Sequence, residues 1–123
     1  MRARETVATM RDAIAARFPN EAEIVDARMV DYDADAYEMW LETFCDTTNA
    51  AMSKRDEKAV IAHLSFVSQQ LARADEDMLR AIDVAYAENM MCGLDVETKR
   101  WAWPLVPANL KRLYVAMWGE PRL

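Results

Sequence analysis

The sequence predicts an all-α fold, a compact bundle of five or six helices, and three observations support this. Only two glycines and four prolines occur in 123 residues, which leaves little turn chemistry for an all-β fold. Hydrophobic residues make up 53% of the chain, and helix-favouring alanine, methionine, leucine and glutamate are plentiful. Apolar residues also recur every three or four positions along most of the chain. We therefore expect residues 1–123 to form a single all-helical domain.

The apolar stripes and the residues that end them define the individual helices. Helices are expected over residues 5–18, 21–30, 36–52, 55–73, 76–92 and 107–118. The stripes place these side chains in the core: Val7, Met10, Ile14, Phe18, Ile24, Val25, Met29, Tyr37, Trp40, Leu41, Phe44, Cys45, Val60, Ile61, Leu64, Phe66, Val67, Leu71, Met78, Leu79, Ile82, Ala85, Tyr86, Met90, Leu110, Leu113, Tyr114 and Met117. Because only Ala74 and Asp75 separate the fourth and fifth helices, these two are expected to form a central antiparallel hairpin.

Several residues are expected to cap these helices. Asn20 with Glu23, and Asp35 with Glu38, fit the spacing of a capping box. Asp75 stands at the start of the fifth helix, where an aspartate cap is favoured. Glycines at 93 and 119 stand where the fifth and last helices should end.

Composition excludes several classes of partner. The formal net charge is −6, so the phosphate backbone of nucleic acid would be repelled by most of the surface. The sequence contains neither an apolar leader region nor a stretch of about 20 apolar residues, so we expect no signal peptide and no membrane span. Cys45 and Cys92 lie in apolar helical contexts without a CxxC motif and are expected to be reduced core thiols. These features predict a cytoplasmic protein.

The most informative feature is a run of acidic residues. Nine acidic residues and one basic residue, Arg28, lie between Glu21 and Asp46. Such a surface attracts and orients a basic protein partner. The residues expected to bind that partner, with Tyr32 as an aromatic anchor, are Asp31, Tyr32, Asp33, Asp35, Glu38, Glu42 and Asp46.

The same run partly resembles a calcium-binding loop. Carboxylates occupy positions one, three, five and twelve of an EF-hand pattern, at Asp31, Asp33, Asp35 and Glu42. The pattern then fails, because Ala36 stands where the loop needs glycine and Glu38 stands where an apolar residue is usual. The helical stripe also begins at Tyr37, which would pull the loop into a coil. We expect no metal site, and calcium binding remains the less favoured alternative.

No pattern of catalytic residues is apparent. His63 is the only histidine, and its place beside Val60 and Leu64 on an apolar stripe favours a semi-buried structural role. Two glycines, at 93 and 119, cannot form a glycine-rich phosphate loop, and no Glu-x-x-His motif is present. We therefore predict a protein without catalytic activity and without a cofactor.

Three stretches resemble a group of small, poorly characterised bacterial all-helical proteins. These stretches are residues 64–67, residues 84–91, and the spacing that runs from Leu105 and Pro107 to Gly119. The resemblance covers roughly residues 35–119. Some of that group are thought to be immunity proteins, so the resemblance implies an antitoxin-type protein that neutralises a cognate toxin. The acidic run, and not the resemblance, predicts that the toxin domain it occludes is basic. The resemblance implies no catalytic residue.

The tryptophan-rich tail supports a different function. Trp101, Trp103 and Trp118 are of the residue type most enriched in interface hot spots, and Lys99 and Arg100 precede the first two. A helical adaptor or regulatory subunit that self-associates, for example as a homodimer through this tail, is the alternative to an immunity protein. A third arrangement has the tail fold back and cap the core with both indoles of residues 101 and 103.

Overall fold

A computed structural model describes the backbone of residues 3–123 and the side chains from residue 7 onward. Residues 1 and 2 of the predicted domain lie outside this range. The α-helices of the described chain are α1 (Ala3–Arg17), α2 (Pro19–Arg28), α3 (Tyr37–Ser53), α4 (Glu57–Ala72), α5 (Glu76–Ala81), α6 (Val96–Ala102) and α7 (Ala108–Trp118). A π-helical turn (Ile82–Tyr86) and a 3₁₀ turn (Ala87–Asn89) continue α5, and a second 3₁₀ turn (Trp103–Leu105) follows α6.

The all-α prediction is confirmed, since residues 3–123 contain no strand. The α-helices within this range number seven rather than five or six. The additional helix is α6, which the sequence analysis treated as part of the tail. Within the described chain, each helix is too short or too polar to pass through a bilayer.

Helix α3 is the centre of the arrangement. It packs against α1, α2, α4 and the π-helical turn, while α5 packs mainly against α1. Helix α7 lies elsewhere, against α4 and the 3₁₀ turn at 87–89. The main contacts of α4 are with α3 and α7, so the structure does not confirm the predicted central hairpin of the fourth and fifth helices.

Most of the predicted core is buried. The stripe of α1 (Val7, Met10, Ile14) lies inside, as do Phe44 of α3 and Leu64 of α4. Other residues predicted to be buried are instead exposed, and these are Ile24, Ile61, Leu79 and Met117. Each of them belongs to a helix whose buried stripe is narrower than the apolar pattern of the sequence.

Aspartates begin three of the helices, and neither predicted capping box forms. The side chains of Asp56, Asp75 and Asp95 accept hydrogen bonds from the backbone N–H three residues later, which begins α4, α5 and α6. The Asp75 prediction is thus confirmed. Helix α2 instead begins with Pro19 at its first turn, and α3 begins after Ala36, both without a side-chain cap.

The chain reversal after the 3₁₀ turn is held by a buried side chain of α3. Asn49 donates to the carbonyl of Asn89 at 2.9 Å and accepts from the N–H of Met91 at 2.8 Å. Met91 has a φ of 64° and Gly93 a φ of 76°, so the chain turns through two left-handed residues there. The amide of Asn49 satisfies backbone groups that this turn would otherwise leave unpaired.

The two cysteines differ from each other. Both are free thiols; Cys45 is buried, but Cys92, which was expected in the core, is exposed. The thiol of Cys45 lies 3.3 Å from the carbonyl oxygen of Tyr86. Burial raises the pKa of the Cys45 thiol well above its ordinary value, and burial likewise raises the pKa of the Tyr86 hydroxyl.

Candidate functional site

The loop at residues 29–36 carries most of the predicted partner-binding residues. Two backbone hydrogen bonds close successive turns in it, from the N–H of Tyr32 to the carbonyl of Met29 and from the N–H of Ala36 to the carbonyl of Asp33. Residues 30–35 are all exposed, because this tightly turned segment lies outside the helix packing. The side chains of Asp31, Tyr32, Asp33 and Asp35 are therefore presented to solvent.

The remaining predicted residues continue along α3. Glu38, Glu42 and Asp46 are four residues apart and share one side of the helix, as the sequence predicts. Glu38 and Asp46 are exposed, and Glu42 is partly buried. A carboxylate oxygen of Asp46 lies 4.0 Å from a guanidinium nitrogen of Arg28. All seven predicted residues thus lie on one side of α3 or on the loop that leads into it, and we call them the acidic surface.

Exposed apolar side chains accompany these carboxylates. Val30 is 78% exposed and Tyr32 is 51% exposed, on either side of Asp31. Met39, in the first turn of α3, is also exposed. Apolar area therefore lies beside the carboxylates of the acidic surface, and a partner that covered it would remove that area from water.

Two acidic residues of the same run stabilise the fold instead. Asp26 of α2 accepts a hydrogen bond from the indole N–H of Trp40 on α3 at 2.8 Å. Glu21, at the start of α2, lies 2.9 Å from the imidazole of His63 on α4. Neither was among the predicted partner-binding residues, and each of them forms a contact between two helices of the fold.

The calcium pattern can be compared with the observed geometry. Helix α3 begins at Tyr37, position seven of the twelve-residue pattern, so the second half of the pattern is helical as expected. Among the residues whose side chains are described, no group of three or more carboxylate, histidine or cysteine side chains is arranged to hold a metal ion. Among these side chains the calcium pattern is therefore not accompanied by a preformed set of ligands.

A second cluster of polar residues is buried. The imidazole Nε2 of His63 lies 2.9 Å from Glu21, and its Nδ1 lies 2.9 Å from the hydroxyl of Thr48. That hydroxyl is in turn 2.8 Å from the hydroxyl of Tyr86. Thr48, His63 and Tyr86 are buried, and Glu21 is partly exposed. We call these four residues the buried polar chain.

The chemistry of its members sets the direction of each hydrogen bond. A carboxylate only accepts, so Nε2 of His63 carries the proton that is donated to Glu21. In a neutral imidazole Nδ1 then accepts, so Thr48 donates to it and accepts from Tyr86. Each polar group of the buried polar chain therefore has a hydrogen-bond partner. Among the residues whose side chains are described, no buried side-chain N or O atom lacks one.

This arrangement holds elements together and does not fit nucleophilic catalysis. Thr48, the hydroxyl beside the histidine, is fully buried, so no substrate reaches it. The ring centroids of Phe18 and Phe44 lie 4.8 and 4.9 Å from that of the imidazole, so two aromatic rings pack against it. The predicted structural role of His63 agrees with this, although the residue is more deeply buried than expected. The sequence analysis missed its three partners.

A cleft lies beside Glu21 and His63. Its volume is about 370 Å³, and it is bounded by α2, α3 and the start of α4. Its lining includes the cations Arg28 and Lys54 and the carboxylates Glu21 and Asp56, so these charged side chains balance in sign. Because Glu21 and His63 already bond each other, the cleft presents no buried polar group that awaits a ligand.

The tryptophans of the tail have separate environments. Trp101 and Trp103 are partly buried against the core, which confirms the expectation that the tail folds back over it. Arg55 lies over the ring of Trp101 and Lys111 over that of Trp103, at 5.5 and 4.9 Å from the ring centroids. Trp118 is 60% exposed, and its indole N–H donates to the carbonyl of Glu88.

The comparisons with known proteins place this helical protein in a family without assigning it an activity. Residues 11–119 match the model of a domain of unknown function, DUF7674. That match covers most of the chain, so the protein belongs to the DUF7674 family. No curated protein and no solved structure matches the chain. The resemblance to immunity proteins therefore remains a prediction.

Proposed function

We propose that this chain is a binding protein that neutralises a basic protein partner by covering it with the acidic surface. A toxin domain is the partner that the sequence resemblance implies, and the protein acts in the cytoplasm without catalysis or a cofactor. The observation that carries the proposal is the exposure of Val30 and Tyr32 among carboxylates in the loop at 29–36. A solvated acidic face has no need of such side chains.

Charge and apolar area make different contributions to such an interface. Carboxylates at the rim attract a basic partner and accelerate association, with an effect that salt screens beyond about 8 Å at physiological ionic strength. Aromatic and apolar side chains at the centre supply most of the binding free energy. Tyr32 lies between Asp31 and Asp33 and is suited to the central position.

The structure also favours binding through a preformed surface. The loop at 29–36 is closed by its own turns, and α3, which follows it, packs mainly against α1, α2, α4 and the π-helical turn. A surface that is already ordered loses little conformational entropy when it binds. This geometry supports occlusion of a partner by a rigid protein.

Partner capture with charge-reversed baits tests this function. The bait D31K/D33K reverses two exposed carboxylates of the loop. The matched control E57K/E97K makes the same change in net charge at two exposed positions outside the acidic surface. We expect a basic protein to be retained by the native chain and by the control, and to be lost with D31K/D33K.

Kinetics with the captured partner sharpen the test. Charge reversal in the loop should slow association by about 10–100-fold at low salt and by much less at about 0.5 M salt, where the Debye length is only a few ångströms. Tyr32→Ala should mainly accelerate dissociation. If a partner is captured equally by all three baits, the acidic surface is not its binding site.

A further inference from the structure

We propose that the acidic loop of one copy of this chain docks into a basic aromatic groove on α7 of another copy, so that the protein self-associates head to tail. The groove has a volume of about 610 Å³ and lies along α7. Its lining residues are Trp103, Lys111, Arg112, Val115, Ala116 and Glu120. The inference does not rest on the proposed function, because it concerns the chain alone.

The groove and the loop are complementary in both charge and polarity. Trp103, Val115 and Ala116 give the groove an apolar floor. Lys111 and Arg112 add two positive charges against the one negative charge of Glu120, so the lining has a net charge of +1. The loop has the opposite charge, with one carboxylate on each side of the exposed ring of Tyr32, those of Asp31 and Asp33. Tyr32 would lie on the apolar floor while Asp31 and Asp33 pair with the two cations.

The same complementarity holds for the wider regions. Residues 19–53 contain nine acidic residues and one basic residue, whereas residues 97–123 contain five basic residues and two acidic ones. Opposite potentials of this kind orient two copies as they approach and disfavour the arrangement in which like ends meet. The charge layout of the chain therefore favours a head-to-tail contact over a symmetric one.

The contact has to be made between copies. The loop follows α2, which packs against α1 and α3, whereas α7 packs against α4 and the 3₁₀ turn at 87–89. The helix before the loop and α7 thus share no main packing partner, and we place the contact between copies. A contact between unlike surfaces generates chains of copies rather than a closed dimer, unless the rotation between copies closes a ring.

The size of the contact sets its strength. Stable interfaces bury about 1,200–2,000 Å² in total, and the exposed residues 30–35 of one loop in one groove bury less. We therefore expect association in the range of about 0.1–1 mM, with loss at high salt. Since the contact occupies the loop, self-association and binding of a basic partner exclude each other.

Sedimentation of the purified chain tests the inference through a charge swap. The loop variant D31K/D33K and the groove variant K111E/R112E should each remain monomeric at about 1 mM and low salt, where the native chain associates. An equimolar mixture of the two variants should associate again, because the reversed loop of one matches the reversed groove of the other. Circular dichroism confirms that each variant is folded before sedimentation.

Matched controls separate a specific contact from a change in net charge. E57K/E97K and K58E/R73E make the same charge changes at exposed positions outside both surfaces and should associate like the native chain. The inference is overturned if the native chain remains monomeric over this range, or if folded loop and groove variants associate as the native chain does. Failure of the mixture to associate also overturns it. None of these results bears on capture of a heterologous partner.

Discussion

The acidic loop and the buried polar chain take carboxylates from the same run of sequence but use them differently. Glu21 lies at the start of α2 and is held 2.9 Å from a buried imidazole, whereas Asp31 and Asp33 follow the same helix and face solvent. The carboxylate of Glu21 stabilises the contact of α2 with α4, whereas those of Asp31 and Asp33 contribute to the electrostatic field at the protein surface. Position relative to the core separates these roles, and residue type does not.

This difference implies that stability and binding are separable in this protein. Substitutions in the buried polar chain should lower the free energy of unfolding without changing the surface offered to a partner. Substitutions in the loop should weaken partner binding and leave the free energy of unfolding nearly unchanged. Three predictions test that separation.

Thr48→Val should produce the largest loss of stability. Valine has nearly the shape of threonine, but it cannot accept from Tyr86 or donate to His63, so two buried polar groups lose their partners. Each unpaired group costs about 1–3 kcal/mol, so we expect the free energy of unfolding to fall by about 3 kcal/mol. Urea denaturation with linear extrapolation measures this.

The double variant T48V/Y86F provides the control for Thr48→Val. Tyr86→Phe alone removes one hydroxyl and should cost about 1 kcal/mol. In the double variant the hydroxyl that Thr48→Val left unpaired is gone, so the combined loss should be smaller than the sum of the single losses. Additive losses, or a loss below about 0.5 kcal/mol for Thr48→Val, would contradict the buried polar chain as described.

The helices were predictable because each depends on local periodicity. The stripe of α1 and the cap at Asp75 are recognisable within one or two turns of sequence, and both are present in the structure. Ile24 shows the limit of that approach. It fits an apolar pattern, but α2 is short and turns only Ala22 and Val25 toward the core. Whether an apolar residue at the edge of a stripe is buried depends on how much of the helix surface the neighbouring elements cover. Periodicity within one helix contains no information about that.

The buried polar chain could not be predicted, because its members lie on different elements. Residues 21, 48, 63 and 86 meet only through the packing of α2, α4 and the π-helical turn around α3. One sequence contains no signal for contacts of such separation. Helix α6 was missed for a different reason: its signal, Asp95 three residues before Thr98, was present and was overlooked. The acidic loop was identifiable because exposure follows from its lack of an apolar stripe.

Alkaline pH should destabilise the protein through the buried region. Burial raises the pKa of Cys45 above its ordinary value of 9.0, so the unfolded chain releases this proton at a lower pH than the folded chain does. The unfolded state then binds fewer protons, and stability that is fully present below pH 9.0 is lost as the pH rises above it. We expect a loss approaching about 1.4 kcal/mol per pH unit for one such group.

Thermal unfolding between about pH 8 and pH 10.5 measures this slope. Cys45→Ala should make the slope shallower, because Tyr86, whose pKa is also raised by burial, then remains the main contributor. Cys92→Ala is the matched control, since that thiol is exposed and raises the pKa of Cys45 less than burial does, so its removal should change the slope less than Cys45→Ala. A slope that depends on Cys92 and not on Cys45 would show that the two thiols have been assigned to the wrong environments.

The smallest expected effect distinguishes two aspartates of the acidic run. Asp26→Ala removes the acceptor of the Trp40 indole and should lower the free energy of unfolding by about 1 kcal/mol. Asp31→Ala should change it by less than about 0.5 kcal/mol, because that side chain is exposed on the loop. Partner capture should show the reverse order, with the greater loss of captured partner for Asp31→Ala.

Trp40→Phe removes the donor of the same hydrogen bond and provides the control. The loss of stability in the double variant of Asp26→Ala and Trp40→Phe should therefore be smaller than the sum of the two single losses. Equal stability of the Asp26→Ala and Asp31→Ala variants would mean that the Asp26 hydrogen bond contributes nothing measurable to the free energy of unfolding. The distinction between carboxylates that stabilise the fold and carboxylates that face only solvent would then depend on Glu21 alone.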